Sequence, residues 1–496
     1  MRLSPQDLVF EKNFISECEQ ALDAVRRQTE DIVAIVGVIR EERGKRYNAL
    51  AIMQDRKIID HVYKTHLPAY DVFDEFRYFH PGPDPRPVGV SIRGEECRLG
   101  IEICEDLWDE GYDTRVSEIL VRRGADILLN ASASPYHTGK YRERVSAVSE
   151  KVRALKRPFV YVNLCGAQDE LIFDGSSFAM DADGRFAACL PPSEEAFACC
   201  EFRDGRSPQP VEKRQPGGME ELRAALLLGI RDYFHKSGFQ DAVIGLSGGI
   251  DSALVAALAA EALGAEHVHT YAMPSRFSSP HSLEDAEQCA KNLGVHYKVI
   301  SIGEVYETFL KALEKPFSGT AFGVAEENLQ ARIRGSILMS VANKKHALVL
   351  TTGNKTEIAL GYCTLYGDMC GALAPVSDLN KLDVYRLARH LNNRGDHELI
   401  PEHTIRKRPS AELAEDQYDP FDYNVVSPLV DELLYQEKSI GQLIRETGDP
   451  ELVHELYDLI QKNEYKRRQA APGLRVTRKA FGRGRKMPMV NHFRIK

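Results

Sequence analysis

A chain of 496 residues is too long for one hydrophobic core of ordinary size, so its length predicts two or three domains. Its 43% hydrophobic and 28% charged residues match folded globular domains and exclude a disordered scaffold, and the net charge of −9 speaks against a general nucleic-acid binder. No apolar run approaches the ~18 residues that cross a bilayer, and residues 1–11 hold no apolar segment of the secretory kind; the cytoplasm is the default compartment, with no membrane partner.

In chain order, β-prone stretches at 32–39, 50–53, 98–103, 127–130 and 159–164 alternate with longer polar segments of helical character, which predicts an α/β domain. The stretch 203–218 comes next, where Pro208, Pro210, Pro216, Gly217 and Gly218 stand among charges; it sustains neither a helix nor a central strand and marks a domain boundary. Beyond it the alternation is clearer: strand 242–246, an alanine-rich helix 252–263, strand 268–273, helix 282–293 and strand 297–302. Strands spaced this way require right-handed parallel crossovers, and ligands of such sheets gather at the carboxyl ends of strands, here after Leu246, Met273 and Leu350.

The ten cysteines have neither CxxC pairs nor regular spacing, which predicts reduced thiols, mostly core residues, rather than a disulfide framework or zinc site. The C-terminus is basic at Lys466, Arg467, Arg468, Arg475, Arg478, Lys479, Arg483, Arg485 and Lys486. Such a run alone reads as a solvated tail; the functional alternative is contact with an anionic substrate.

Between a strand and a helix stands Gly245-Leu246-Ser247-Gly248-Gly249-Ile250-Asp251-Ser252. Glycines let backbone N–H groups approach a phosphate, the helix N-terminus adds positive partial charge, and two hydroxyls add hydrogen bonds. It has neither the Gly-Lys-Ser/Thr ending of a Walker loop nor the Gly-x-Gly-x-x-Gly of dinucleotide folds. The bland alternative is a turn in which Asp251 and Ser252 cap the helix. The pattern resembles the pyrophosphate loop of N-type ATP pyrophosphatases, which activate a carbonyl oxygen as an adenylate.

Four later segments stand in the order found in NAD synthetases: Glu327-Asn328-Leu329-Gln330-Ala331-Arg332-Ile333-Arg334, Thr352-Gly353-Asn354-Lys355-Thr356-Glu357, Tyr366-Gly367-Asp368 and Arg408-Pro409-Ser410-Ala411-Glu412-Leu413. This resemblance covers nearly all of 219–496. It implies that the loop 245–252, Thr352 and Lys381 bind ATP, and that Asp251, Glu357 and Ser410 hold Mg2+. Lys381 reads equally well as a surface lysine from sequence alone. Asn328, Glu357, Tyr362, Cys363, Thr364, Leu365 and Lys466 match positions that bind deamido-NAD, nicotinic acid adenine dinucleotide, which gives one part of the basic C-terminus a purpose.

In the first domain, Tyr63-Lys64-Thr65-His66-Leu67-Pro68, Asp71-Val72-Phe73-Asp74-Glu75, Gly100-Ile101-Glu102-Ile103-Cys104-Glu105-Asp106-Leu107-Trp108 and Ser132-Ala133-Ser134-Pro135-Tyr136-His137-Thr138-Gly139-Lys140 look like a nitrilase-type glutamine amidohydrolase. The resemblance makes Cys104 the nucleophile, Lys64 the oxyanion-stabilising group, and Tyr70, Ser134 and Lys140 glutamine-binding residues. The resemblance implies that ammonia comes from glutamine, with uptake of free ammonia as the alternative if the amidase is inactive.

One departure stands out. Relatives carry a glutamate general base before a Gly-Tyr-Pro turn, whereas this chain opens at Arg2-Leu3-Ser4-Pro5-Gln6-Asp7-Leu8, which resembles the segment after that turn. The first strand and the base are expected to be absent, through a missed upstream start, a trimmed chain or a decayed glutaminase. Glu75, and after it Glu105, can be offered as a replacement base, but Glu75 reads better as a carboxylate supporting Lys64.

The expected fold is therefore α/β: a nitrilase-like αββα sandwich short of its first strand over 1–203, a linker over 204–218, and a Rossmann-like parallel α/β ATP pyrophosphatase domain over 219–496. The expected partners are deamido-NAD, ATP, and glutamine or ammonia, with a homo-oligomer implied by the family. A nucleic-acid modification protein using the same loop is the rival from another class, and the acidic balance speaks against it.

Overall fold

The computed structural model describes residues 5–92, 94–215, 217–395, 397–491 and 493. The expectations placed on residues 1–4 at the opening and on Pro216 in the linker lie outside the described residues. Contacts divide the chain into two units, Met1–Gly166 with Phe173–Pro216, and Ala167–Ile172 with Gly217–Lys496.

In the first unit, β1 (Val33–Glu42), β2 (Lys45–Gln54) and β3 (Lys57–Tyr63) form an antiparallel meander. Its turns are two residues long, with positive φ at Arg43, Gly44, Asp55 and Arg56. That backbone matches the right-handed twist of the strands it joins. The polar residues after Ile39 therefore continue a strand rather than forming the helix that their polarity suggested, because hairpin pairing takes their backbone groups.

The second sheet of this unit has the order β11-β10-β7-β6-β5-β4, built from β4 (Val88–Ile92), β5 (Glu95–Ile103), β6 (Ile127–Ser132), β7 (Phe159–Asn163), β10 (Phe178–Met180) and β11 (Phe186–Cys189). Strands β5, β6 and β7 run parallel; a separate ribbon of β8 (Cys165–Gln168) with β9 (Leu171–Asp174) has its tip, Ala167–Ile172, in the second unit. Leu50 and Ile52 of the first sheet pack on Val88, Val90, Leu99, Ile101 and Ile103 of the second. Helix Lys12–Arg26 lays Leu22 on the outer face of the first sheet, and helices Val116–Arg122 and Lys140–Leu155 cover the second. These layers are helix, sheet, sheet, helix, the expected αββα sandwich. From Arg203 to Gln215 the linker stays with this unit, where Val211 donates to the Phe186 carbonyl at 2.7 Å and the Arg214 guanidinium stacks on Tyr141, whereas Gly217 and Gly218 fall in the second unit.

The second unit is built on a four-stranded parallel sheet of order β14-β13-β12-β15, with β12 (Ala242–Gly245), β13 (Val268–Ala272), β14 (His296–Val299) and β15 (Leu348–Val349). Ala242, Val243 and Ile244 are wholly buried, as a parallel strand covered on both faces requires. The alanine-rich helix Ile250–Leu263 packs against β12 and β13, and helix Val324–Lys345 packs Ile333 and Ala342 into the cluster that contains Val243. Helices Tyr423–Tyr435 and Pro450–Lys462 close a further core around Ala359 and Leu360.

Two expectations need correction. Of the ten free cysteines only Cys289 is buried; Cys199 and Cys200 are exposed and the other seven are half-buried. The basic C-terminus is not a solvated tail, since Arg467 and Arg475 are buried and Arg467, Arg468 and Arg485 all pair with Glu464. Arg467 also donates to the carbonyls of Ile358 and Ala359, so that cation closes a helix end rather than meeting solvent. Among the described residues no helix is long and apolar enough to cross a membrane.

Candidate active sites

In the first unit, β5 ends at Ile103 and delivers Cys104 at the carboxyl end of a parallel strand. Cys104 has φ +48°, a left-handed conformation that costs a non-glycine residue energy and aims its side chain off the strand end. Lys64 follows β3 and is 1% exposed, with its Nζ 2.6 Å from Glu75 Oε1. Burial opposes its charge, but the Glu75 carboxylate outweighs it and holds the ammonium above the usual lysine range. Burial pushes the Cys104 thiol up while Lys64 pulls it back.

The three residues expected to hold glutamine are placed by different means. The Tyr70 hydroxyl donates to both carboxylate oxygens of Glu105 at 3.0 Å, and Tyr112 donates to the same group at 3.1 Å. The Ser134 Oγ accepts from Arg144 Nε at 3.1 Å, and that guanidinium forms a fully buried ion pair with Asp174 at 2.7 Å. The Lys140 Nζ donates to Glu143 at 3.0 Å and stands 4.2 Å from the Trp108 ring centroid. Tyr70 and Lys140 both lie within electrostatic reach of Cys104.

In the second unit the loop after β12 turns through Gly248 at φ +77°. A Cβ on Gly248 would sit 2.2 Å from the Ser282 carbonyl oxygen, so only glycine fits. Ser252 Oγ donates to the Gly249 carbonyl at 3.0 Å and accepts from Ser247 N at 3.2 Å, closing the loop on itself. Gly249 is the cap residue of helix Ile250–Leu263, and Asp251 does not cap it. Instead Asp251 accepts from Asn354 Nδ2 at 2.9 Å and from Lys381 Nζ at 2.6 Å, and Lys381 also reaches Glu357 at 3.0 Å.

Lys381 is 2% exposed, which removes the surface-lysine reading. Burial disfavours its charge, and Asp251 and Glu357 outweigh that and raise it. Burial pushes Glu357 up to about 7 against the pull of Lys381. Two carboxylates thus converge on a single cation, and hard oxygen donors of this number suit Mg2+ that takes its other ligands from phosphate and water. Among the described residues no group of three or more His, Cys, Asp or Glu side chains is arranged to hold a metal ion. Ser410, expected at that metal, donates its hydroxyl to the Gln417 carbonyl at 2.5 Å.

A cavity of about 440 Å³ opens beside the loop, lined by Gly245, Leu246, Ser247, Thr352, Asn328, Tyr362, Cys363, Thr364 and Lys466 among others. Leu246, Met273 and Leu350 all reach it, as the strand-end rule predicted. Lys466 Nζ donates to the carbonyls of Gly361 and Cys363 at 2.7 and 2.8 Å, and Thr364 Oγ1 donates to Asn328 Oδ1 at 2.6 Å. Leu365 is not in the wall; its carbonyl accepts from Arg332 Nε. Gly248, Gly249, Ile250, Asp251, Ser252, Glu357, Lys381 and Ser410 also stand outside the wall.

Family models agree with this division. The model described as NAD synthase matches residues 222–470, and the one described as carbon-nitrogen hydrolase matches 17–201. The glutamine-dependent NAD(+) synthetase of Synechocystis sp. is 40% identical over 99% of this chain and 90% of its own length. That of Aquifex aeolicus is 39% identical over 99% and 91%. The structure of the Acinetobacter baumannii glutamine-dependent NAD+ synthetase in complex with ADP superposes with a TM-score of 0.77, at 36% identity over 98% of this chain and 90% of that one. The chain belongs to the glutamine-dependent NAD(+) synthetase family. A synthetase from Cytophaga hutchinsonii, 21% identical with a TM-score of 0.80 over 99% of this chain and 90% of its own, shares the fold.

Several residues of this synthetase site escape a reading of the sequence although they lie inside its motifs. Arg334 lines the cavity and donates Nε to the Met273 carbonyl at 2.9 Å, and burial brings its guanidinium down to about 10. Glu412 also lines it and accepts from the hydroxyls of Ser279 and Ser282 at 3.0 and 2.6 Å. Asn354 caps helix Lys355–Leu360 while holding Asp251. Their spacing offers no signal beyond membership of a motif; only folding sets the partner of each.

Proposed function

We propose that this chain converts deamido-NAD into NAD, using ATP to activate the nicotinate carboxylate and ammonia released from glutamine in its first unit. The observation that supports this reading is the Lys381 ammonium bridging Asp251, inside the loop 245–252, and Glu357. It marks a position where positive charge is demanded next to an anion-binding loop.

A carboxylate resists attack by ammonia, so its oxygen first attacks the α-phosphorus of ATP and pyrophosphate leaves. The loop amides and the amino end of helix Ile250–Leu263 receive the departing phosphates, and Lys381 neutralises charge beside them. Mg2+ held by Asp251 and Glu357, with Ser410 once its hydroxyl leaves Gln417, would supply further charge neutralisation. Asn328, Tyr362, Thr364 and Lys466 in the cavity wall orient the dinucleotide, and Arg334 offers it a guanidinium. Ammonia then attacks the adenylated carbonyl and AMP departs with its bonding electrons.

In the first unit the Cys104 sulfur attacks the side-chain amide carbon of glutamine, and Lys64 faces the oxyanion. As the adduct collapses, the proton lost from the thiol passes to the departing nitrogen, so ammonia leaves and a thioester remains, which water hydrolyses to glutamate and the free thiol. Tyr70, Ser134 and Lys140 hold the amino acid. We also propose a homo-oligomer, supported by exposed apolar side chains at Val305, Phe309, Phe322, Val324 and Met339; a monomeric mass in light scattering would contradict it.

The test supplies ATP, magnesium and deamido-NAD with either ammonium or glutamine and measures NAD and pyrophosphate. Asp251→Asn is expected to abolish synthesis from both nitrogen sources and Cys104→Ala only that from glutamine. Absence of pyrophosphate with ammonium would overturn the synthetase reading, and equal loss of both activities in the cysteine variant would overturn the division of labour.

A further inference from the structure

The two residues assigned to glutamine chemistry come from different sheets. Lys64 follows β3 of the three-stranded sheet, and Cys104 follows β5 of the six-stranded one. Sheets packed face to face touch through apolar side chains, which fix distance well and register poorly. A polar tie is needed to hold an ammonium at a set place beside a thiol.

The side chain of Asp106 makes that tie. Its Oδ1 accepts from the backbone N–H of Thr65 at 3.1 Å and of His66 at 2.8 Å, and its Oδ2 accepts from the N–H of Ile103 at 3.0 Å. The donors are thus the residues just after Lys64 and the residue just before Cys104. Asp106 is 1% exposed, so these bonds meet no competition from water. A carboxylate is the group that this geometry demands. Three N–H donors converge on it, and an amide in its place would turn an NH2 against at least one of them.

We infer that Asp106 is a positioning residue of the glutaminase reaction, holding the Lys64 segment in register with the strained Cys104 turn by accepting backbone hydrogen bonds from both. It touches neither the substrate nor the reacting atoms. The assignment rests on Cys104 being the group that attacks glutamine. Burial pushes the Asp106 carboxyl up to about 7, the cost of placing it there, and its N–H bonds and Lys64 act against that rise.

The test uses the full chain with Asp106→Asn and Asp106→Glu. Glutamine hydrolysis is followed for kcat and KM, and alkylation of Cys104 by iodoacetamide is followed against pH with site-resolved mass spectrometry. A displaced Lys64 is expected to lower kcat about 10²-fold while KM changes less than about twofold. The alkylation midpoint of Cys104 should rise in both variants. Loss of a negative charge alone would lower that midpoint in the asparagine variant, so a rise reports movement of Lys64. If Asp106→Asn does not hold its fold, Asp106→Glu, which keeps the charge and shifts it along the side chain, carries the test. Parent-like kcat and parent-like midpoints overturn the inference, as does a loss of turnover that only follows the folded fraction. If the parent itself releases no ammonia from glutamine, that failure belongs to the glutaminase reading, and the alkylation midpoints still decide whether Asp106 positions Lys64.

Discussion

The Lys381 ammonium stands 2.6 Å from Asp251 and 3.0 Å from Glu357 with almost no exposure to water. Removing one member of such a buried set leaves uncompensated charge, at a typical cost of about 3–5 kcal/mol. Lys381→Met is therefore expected to leave two carboxylates facing each other and to abolish pyrophosphate release with either nitrogen source. Retention of a tenth or more of the parent rate with ammonium would remove Lys381 from the phosphate site.

The loop tolerates no side chain at position 248. Gly248→Ala places a Cβ 2.2 Å from the Ser282 carbonyl oxygen in a backbone region with φ +77°. The loop must open to relieve this contact, so ATP binding measured by calorimetry should fall below detection while glutamine hydrolysis continues. Parent-like ATP binding would show that the loop has room.

Lys355 is the structural counterpart of Lys381. Wholly buried, its Nζ lies 2.9 Å from Asp431, 3.2 Å from Asp378 and 2.9 Å from the Thr477 hydroxyl. Asp378 in turn accepts from the backbone of Val476 and Thr477, so this cation anchors the C-terminal segment under helix Lys355–Leu360. Lys355→Met should destabilise the second unit by about 3–5 kcal/mol in denaturant unfolding. Adding Asp431→Asn should return part of that loss; a fully additive double variant would refute the coupling.

Stability of the first unit should depend on Glu102. This wholly buried carboxyl accepts from Ser117 at 2.7 Å and Asn130 at 3.0 Å, and burial pushes it up to about 7. The folded state therefore holds its proton more tightly than the unfolded chain, in which a glutamate titrates near ~4.3. That contribution is fully present below the unfolded value and is lost as pH rises through about 7. Its size is about 4 kcal/mol. Urea midpoints of this unit should fall between pH ~5 and ~8, and Glu102→Gln should flatten the slope. An unchanged slope in the variant would sink the prediction.

Much of the fold is legible in the sequence because its signals are local. The apolar run 242–246, the glycine-rich turn and the alanine-rich helix after it each report backbone conformation over a few residues, and the strand, loop and helix stand at the expected places. The stretch 40–49 misleads because polarity near a hairpin turn looks the same as polarity on a helix face; pairing with a second strand decides. The basic C-terminus misleads for a related reason. A run of cations looks solvated until Glu464 and the carbonyls of Ile358 and Ala359 are folded against it.

The sequence by itself determined the family and the two α/β units, because its motifs and apolar runs are local patterns set by neighbours in the chain. Only the tertiary structure decided which charges meet. Lys381 lies 130 positions from Asp251, and Asp106 lies 41 from Thr65, so no periodicity or propensity links them. Partners so distant are chosen by the packing of whole sheets and helices, and the low dielectric around them then gives each chosen pair its strength.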